Sequence, residues 1–149
     1  MLESDPEVIT VARQWVQKAD NDLKTAIQTL KLGDNTPTDT VCFHIQQCVE
    51  KYLKALLVWR GVEFSRTHHV SGLLELLPPS MRPDLTPEEQ ERLTDYAVTM
   101  RYPGDYEPVP LNEARESLRI AQRVRKQVRR HLPKESLDIP QKHRGLNSA

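Results

Sequence analysis

The stretch Phe43-His44-Ile45-Gln46-Gln47-Cys48-Val49-Glu50-Lys51-Tyr52-Leu53-Lys54-Ala55-Leu56-Leu57 places two amides, a carboxylate and two ammonium groups within nine residues. Lys51 and Lys54 could hold a phosphate or an acidic group, and Glu50 could orient them. Apolar residues recur through the stretch at helical spacing, so two readings compete. In the first, Gln47, Lys51 and Lys54 are a solvated side, with Glu50 and Lys54 as an i,i+4 ion pair of a few tenths of a kcal/mol. In the second, Gln46 and Glu50 lie one turn apart beside the apolar stripe, Gln46 between Cys42 and Val49. A long amide there is at least half-buried and requires partners.

Arg101 stands just before Tyr102-Pro103, where the backbone is locally stiff. It either holds a phosphate or ties its loop to the bundle through Glu50 or Asp105. His68 and His69 follow Arg66 in a second loop. General acid–base chemistry at neutral pH requires a proton acceptor near neutral pKa, and a cation for any negative charge that develops. His44, His68 and His69 are the candidate bases, and Arg101 with His68 forms the candidate catalytic pair. The alternative for the loop histidines is bracing of the short helix that follows. No third Cys or His lies at a familiar zinc spacing, so no metal and no cofactor is expected. If Lys51, Lys54, His68 and Arg101 converge, they make a nucleotide or phosphate groove, with Gln46, Gln47, Glu50 and Asp105 supporting it.

The elements that must position these residues read as helices. Asp5-Pro6 is a cap followed by a first-turn proline. Ile9, Ala12, Val16, Ala19, Leu23, Ala26 and Leu30 then recur at steps of three and four, a packing seam that Gly33-Asp34-Asn35 stops. A second helix starts at Thr36-Pro37 or Thr38 and ends at Gly61. A short helix spans 70–77, before Pro78-Pro79. Thr86-Pro87-Glu88-Glu89 begins a helix to about Met100, and Leu111 begins a last long one that Pro133 ends. Arg115, Arg119, Arg123, Lys126 and Arg130 share one face of it, either a solvated face or a surface for RNA or an acidic partner. Arg125 and His131 also match an Arg-x5-His spacing, by chance in so Arg-rich a stretch.

The fold expected is therefore all-α: an antiparallel up-down bundle over residues 1–132, with three long and one or two short helices. Residues 133–149 read as a polar, mobile tail. Three long helices leave room for a second copy, so a homodimer is expected. Acidic and basic residues number 21 each, and no global field draws the 149-residue chain to nucleic acid. No stretch approaches the roughly 18 apolar residues of a membrane span. Cys42 and Cys48 lie about 9 Å apart along a helix axis, too far for a disulfide. Two free thiols and an acidic N-terminus without a signal core suit the cytoplasm.

The second-helix stretch resembles the signature helix of the HEPN domain family (higher eukaryotes and prokaryotes nucleotide-binding domain). Four further features stand in the family's order: Ala19-Asp20-Asn21-Asp22-Leu23, Thr67-His68, Arg101-Tyr102-Pro103, and Asn112-Glu113-Ala114 at the start of the last helix. The resemblance covers roughly Val8 to Leu132. It implies a compact helical bundle that dimerises. It also implies either a metal-independent endoribonuclease toxin with an Arg-x4-6-His motif, or a partner of a minimal nucleotidyltransferase with nucleotide binding, in a toxin–antitoxin or defence system. Here the motif departs: after Arg101 come Asp105, Tyr106, Glu107 and Pro108, with no histidine. The expectation is accordingly a dimeric partner of a minimal nucleotidyltransferase rather than an active nuclease. A ribonuclease with a non-standard residue set and a purely structural dimerisation module are the alternatives.

Overall fold

The computed structural model describes residues 5–66, 69–99 and 107–137. Five α-helices carry the fold: α1 (Pro6–Leu30), α2 (Thr38–Trp59), α3 (Val70–Glu75), α4 (Pro87–Thr99) and α5 (Leu111–Arg129). Short 3-10 turns lie at Gly33–Asn35, Pro79–Met81 and Lys134–Leu137. Among the described residues there is no strand.

Local chemistry sets the helix ends. The Asp5 carboxylate accepts from the Glu7 amide at 2.9 Å, and Pro6 occupies the first turn, where its missing N–H costs nothing. α2 closes through Gly61 at φ +72°, a conformation that disfavours a side chain. The Gly61 amide donates to Val58 O at 3.0 Å and the Val62 amide to Leu57 O at 2.9 Å, the paired bonds of a Schellman turn. At α4, Thr86 Oγ1 accepts from the Glu89 amide while Glu89 Oε1 accepts from the Thr86 amide, both at 3.0 Å. This reciprocal box satisfies two otherwise orphaned donors.

Side-chain pairs give the helix directions. Between α1 and α2, contacts link Trp15 to Lys54 and Asp22 to Lys51, so the two run antiparallel. Between α4 and α5, Glu89 meets Arg123 and Tyr96 meets Glu113, which is again antiparallel. α2 and α5 run the same way, from the Thr38–Val109 contact to the Tyr52–Arg129 contact. The result is an up-down-up-down bundle in which α2 touches α1, α3, α4 and α5. Its core is filled by the seams read from the sequence, including Val16 and Leu23 of α1, Leu53 and Leu56 of α2, and Val124 and Val128 of α5. Both cysteines are buried and free.

The expected tail does not begin at residue 133. Lys134–Leu137 forms a turn in which Ser136 is fully buried and donates to Pro133 O. Arg13 of α1 donates through Nε and Nη2 to Glu135 O at 2.9 and 2.7 Å, and Leu137 packs against the core. Polar composition concealed a segment whose backbone carbonyl is the binding group. Residues 138–149 lie outside the described residues. A chain ending at Pro133 should be less stable than one ending at Leu137 by about 2 kcal/mol in urea unfolding, since it lacks a charge-assisted bond and one apolar contact. A difference below about 0.5 kcal/mol, the scale of a neutral surface change, would show that the turn contributes nothing.

Candidate functional site

Helix α2 is amphipathic on one side only, and its polar residues are not a solvated face. Gln46 and Glu50 are buried, and Gln47, Lys51 and Lys54 are half-buried. Gln47 Nε2 donates to Gln46 Oε1 at 2.7 Å and to Glu50 Oε2 at 3.2 Å. Glu50 Oε1 lies 3.8 Å from Lys54 Nζ. One turn links to the next, so four polar side chains form a continuous ladder along the central helix.

Lys54 closes the ladder in an aromatic setting. Its ammonium lies 5.1 Å from the centroid of the Trp15 ring and 5.7 Å from that of Phe64, and the two rings meet edge to face at 6.3 Å. Such a cation is held by the ring quadrupoles. Burial lowers the Lys54 pKa, the Glu50 carboxylate works against that fall, and the charge of Lys51 adds to it. Lys51 and Lys54 therefore sense each other. Lys51 itself turns to α1 and bonds Asp22 Oδ2 at 2.5 Å. The other oxygen of Asp22 meets His44 Nδ1 at 2.8 Å. When Nδ1–H donates to that carboxylate, Nε2 is left as the acceptor, the arrangement of an oriented general base.

A second polar centre lies between α1, α2 and α5. Asp20 is fully buried. Its Oδ1 accepts from Tyr52 Oη and, at 3.0 Å, from Arg125 Nε. Arg129 approaches Oδ2 at 3.8 Å and Tyr52 Oη at 3.4 Å. Burial, reinforced by the Asp20 charge, pushes the Tyr52 hydroxyl well above its ordinary range. Arg125, which matched an Arg-x5-His spacing with His131, is thus an internal ion-pair residue. Beside it, Gln122, Arg123, Arg125, Lys126 and Arg129 line an open groove of about 630 Å³. Arg123 is also bound: Nη2 donates to Glu89 at 2.7 Å and Nε to Asp84 O at 3.0 Å.

Of the groove expected from the sequence, the structure brings together Gln46, Gln47, Glu50 and Lys54, with Lys51 alongside. His68, Arg101 and Asp105 lie outside the described residues. His69 is the residue preceding α3 and makes no side-chain capping bond. The sequence reading missed Trp15, Asp20, Asp22 and the inward role of Arg125 and Arg129. A signal for two of them was present: Asp20 and Asp22 flank the α1 seam between Ala19 and Leu23, and Tyr52 sits in the α2 stripe with a hydroxyl that needs a partner. Among the described residues no group of three or more His, Cys, Asp or Glu is placed to hold a metal ion.

Comparison with known proteins gives a consistent picture. The HEPN domain description matches residues 12–131. A protein of Methanocaldococcus jannaschii named "Putative toxin MJ1304" is 33% identical over 132 residues, covering 78% of this chain and 84% of that protein. The crystal structure of TT1696 from Thermus thermophilus superposes with a TM-score of 0.65 at 32% identity, covering 81% of this chain and 98% of that one.

Removing one partner from a buried charge pair leaves the other uncompensated, so Asp20→Ala should cost about 3–5 kcal/mol in urea unfolding. Asp22→Ala, at a partly exposed pair, should cost about 1–2 kcal/mol. Burial also pushes the Cys42 thiol up to about 12, against only partial opposition from a Tyr96 hydrogen bond. Because the folded value is raised, its stabilising contribution is complete below the unfolded thiol's range and declines as pH rises from there through about 12. A Cys42→Ala variant should accordingly lose less stability than the parent between about pH 8 and pH 10, compared by thermal melts.

Proposed function

Because this chain belongs to the HEPN domain family, we propose that it is a toxin-like HEPN protein that works as a homodimer in the cytoplasm, partnered by a minimal nucleotidyltransferase. We further assign it a nucleotide or phosphate site on the polar side of α2, formed by Lys51, Lys54, His68 and Arg101. The name of the Methanocaldococcus jannaschii relative supports the toxin-like part.

The observation that carries the site is the ladder Gln46–Gln47–Glu50–Lys54. A bundle gains little stability from burying an amide and a carboxylate on its central helix, where apolar residues would pack at no desolvation cost. Groups retained there against that cost commonly serve a binding or catalytic role. Lys51 and Lys54 are held by Asp22 and Glu50 and are ordered before any ligand arrives.

Titration calorimetry with ATP and GTP tests the reading. Loss of one charge-assisted phosphate contact costs about 1.5–3 kcal/mol, so Arg101→Ala should weaken binding about tenfold or more. Arg119→Ala should change it little. Absence of nucleotide binding by the parent chain, or equal effects of both substitutions, would remove the site and leave Arg101 as a structural tie. Light scattering at micromolar concentration should show a dimer, and co-expression with a minimal nucleotidyltransferase should yield a stable complex.

One observation favours a ribonuclease instead: His44 is oriented by Asp22. The missing histidine after Arg101 argues the other way, and RNA incubated with the protein in EDTA should remain intact. Robust cleavage abolished by His44→Ala, or by His68→Ala, would replace the binding module with an enzyme.

A further inference from the structure

Lys54 differs from the other lysines of the described chain in what surrounds its ammonium. Lys18, Lys24, Lys31, Lys126 and Lys134 are exposed, whereas the Lys54 side chain is only 12% exposed. The rings of Trp15 and Phe64 flank Nζ at 5.1 and 5.7 Å. One turn earlier on α2, the Glu50 carboxylate faces it at 3.8 Å. Lys51, three residues away on the same helix, is anchored to Asp22 and sets a second ammonium beside the first. An amine so enclosed has little water to stabilise its charge. Burial outweighs the attraction of Glu50, so Lys54 titrates below the ordinary lysine value. At a given pH more of it is therefore neutral amine, the nucleophilic form, than of an exposed lysine.

We propose that Lys54 is an acyl-acceptor site, modified on Nζ by compact acyl phosphates. The proposal rests on the phosphate site assigned above, because Lys51 of that site docks the phosphate end of the donor. An ammonium has three donors, and Asp22 takes one of those of Lys51, so the others can meet a phosphate. The neutral Nζ of Lys54 attacks the carbonyl carbon. An N–C bond forms, the bond from that carbon to the phosphate oxygen breaks, and inorganic phosphate leaves on Lys51. The proton lost from the nitrogen passes to the Glu50 carboxylate. Two features select this donor. The low exposure of Lys54 favours a compact reagent, and the flanking rings keep water from competing with the amine. The product is a neutral amide. It ends the ion pair with Glu50 and the cation–ring contacts, and it takes one cation out of the phosphate site. Acylation is thus an off-switch for that site, set by the level of activated acyl groups.

Incubation with acetyl phosphate in mildly alkaline buffer, with acetylation of each lysine followed by peptide mass spectrometry, tests the assignment. N-Hydroxysuccinimidyl acetate, which carries no phosphate, is the comparison reagent. In the folded protein Lys54 should react with acetyl phosphate about tenfold or more faster than Lys18 or Lys126, the scale of one charge-assisted phosphate contact. The preference should vanish in urea, where the lysines share one environment. Inorganic phosphate should slow the reaction of Lys54 with acetyl phosphate and leave its reaction with the ester unchanged. Lys51→Met should lower the acetyl phosphate rate at Lys54 about tenfold, and the ester rate by less than about threefold. Thermal melts check that this variant is folded, and the phosphate competition needs only the parent protein. The proposal is overturned if Lys54 reacts no faster than the exposed lysines, or if its preference persists in urea. It is overturned in favour of an amine that is merely reactive if phosphate does not compete and the ester shows the same preference. Calorimetry separates it from the reading on which it rests. ATP binding by the parent chain together with an unreactive Lys54 overturns acylation alone. Preferred, phosphate-competed acetylation without ATP binding keeps acylation and removes the nucleotide site.

Discussion

A single carboxylate, that of Asp20, fixes how three helices of this bundle meet. It is fully removed from water, where an isolated charge would be prohibitively unfavourable. It is tolerated because α2 supplies the Tyr52 hydroxyl and α5 supplies Arg125 and Arg129. Apolar seams can slide by a turn and still pack, but this cluster cannot. If α5 shifted by one turn, the guanidinium groups would leave the carboxylate and two kinds of charge would be buried unpaired. The same logic runs in milder form along the α1–α2 seam. There Asp22 accepts from His44 and Lys51, two turns apart on α2, and sets the register of that pair. Buried ion pairs are weak sources of stability but good selectors of one arrangement among several.

Much of this fold is legible in the sequence because its signals are local. The α1 seam from Ala12 to Leu30, the Asp5-Pro6 and Thr86-Glu89 caps, and the Gly61 stop each depend on neighbours within a few positions. The site is less legible, because its bonds cross between helices. That Gln46 is buried follows from its place beside the α2 stripe. That Gln47 and Glu50 are its companions, rather than solvent-facing residues, requires knowing that α1 and the segment holding Phe64 close over that side. Asp20 and Asp22 show the limit most clearly. Two residues apart on one helix, they point to different neighbours, and nothing in α1 alone names Tyr52 or His44 as the partners.

The arginines of α5 illustrate a second limit. Periodicity places Cα atoms, not the ends of long side chains. Arg115, Arg119, Arg123, Lys126 and Arg130 do share a face by spacing, yet Arg123 reaches sideways to Glu89 and Asp84. Arg125 and Arg129 lie off that stripe and carry their charge inward to Asp20. A guanidinium on a three-carbon stem can serve an interior from a half-exposed position. An arginine-rich helix is therefore read correctly only when each charge is followed to its terminal atom.

The clasp between Arg13 and Glu135 joins positions 122 residues apart in the chain. Contacts of that span form late, because the intervening segment must first be gathered in. During synthesis, α1 emerges early and the α1–α2 hairpin can fold at once, but Arg13 has no carbonyl to hold until residue 135 is available. The carboxylate of Asp20 waits similarly for α5. The early hairpin is thus left polar and half-satisfied, a state that discourages it from settling as an independent unit. Assembly becomes concerted: the last turn of the described chain secures the first helix, and a nascent chain that stops short retains an unfinished surface for quality-control factors to recognise.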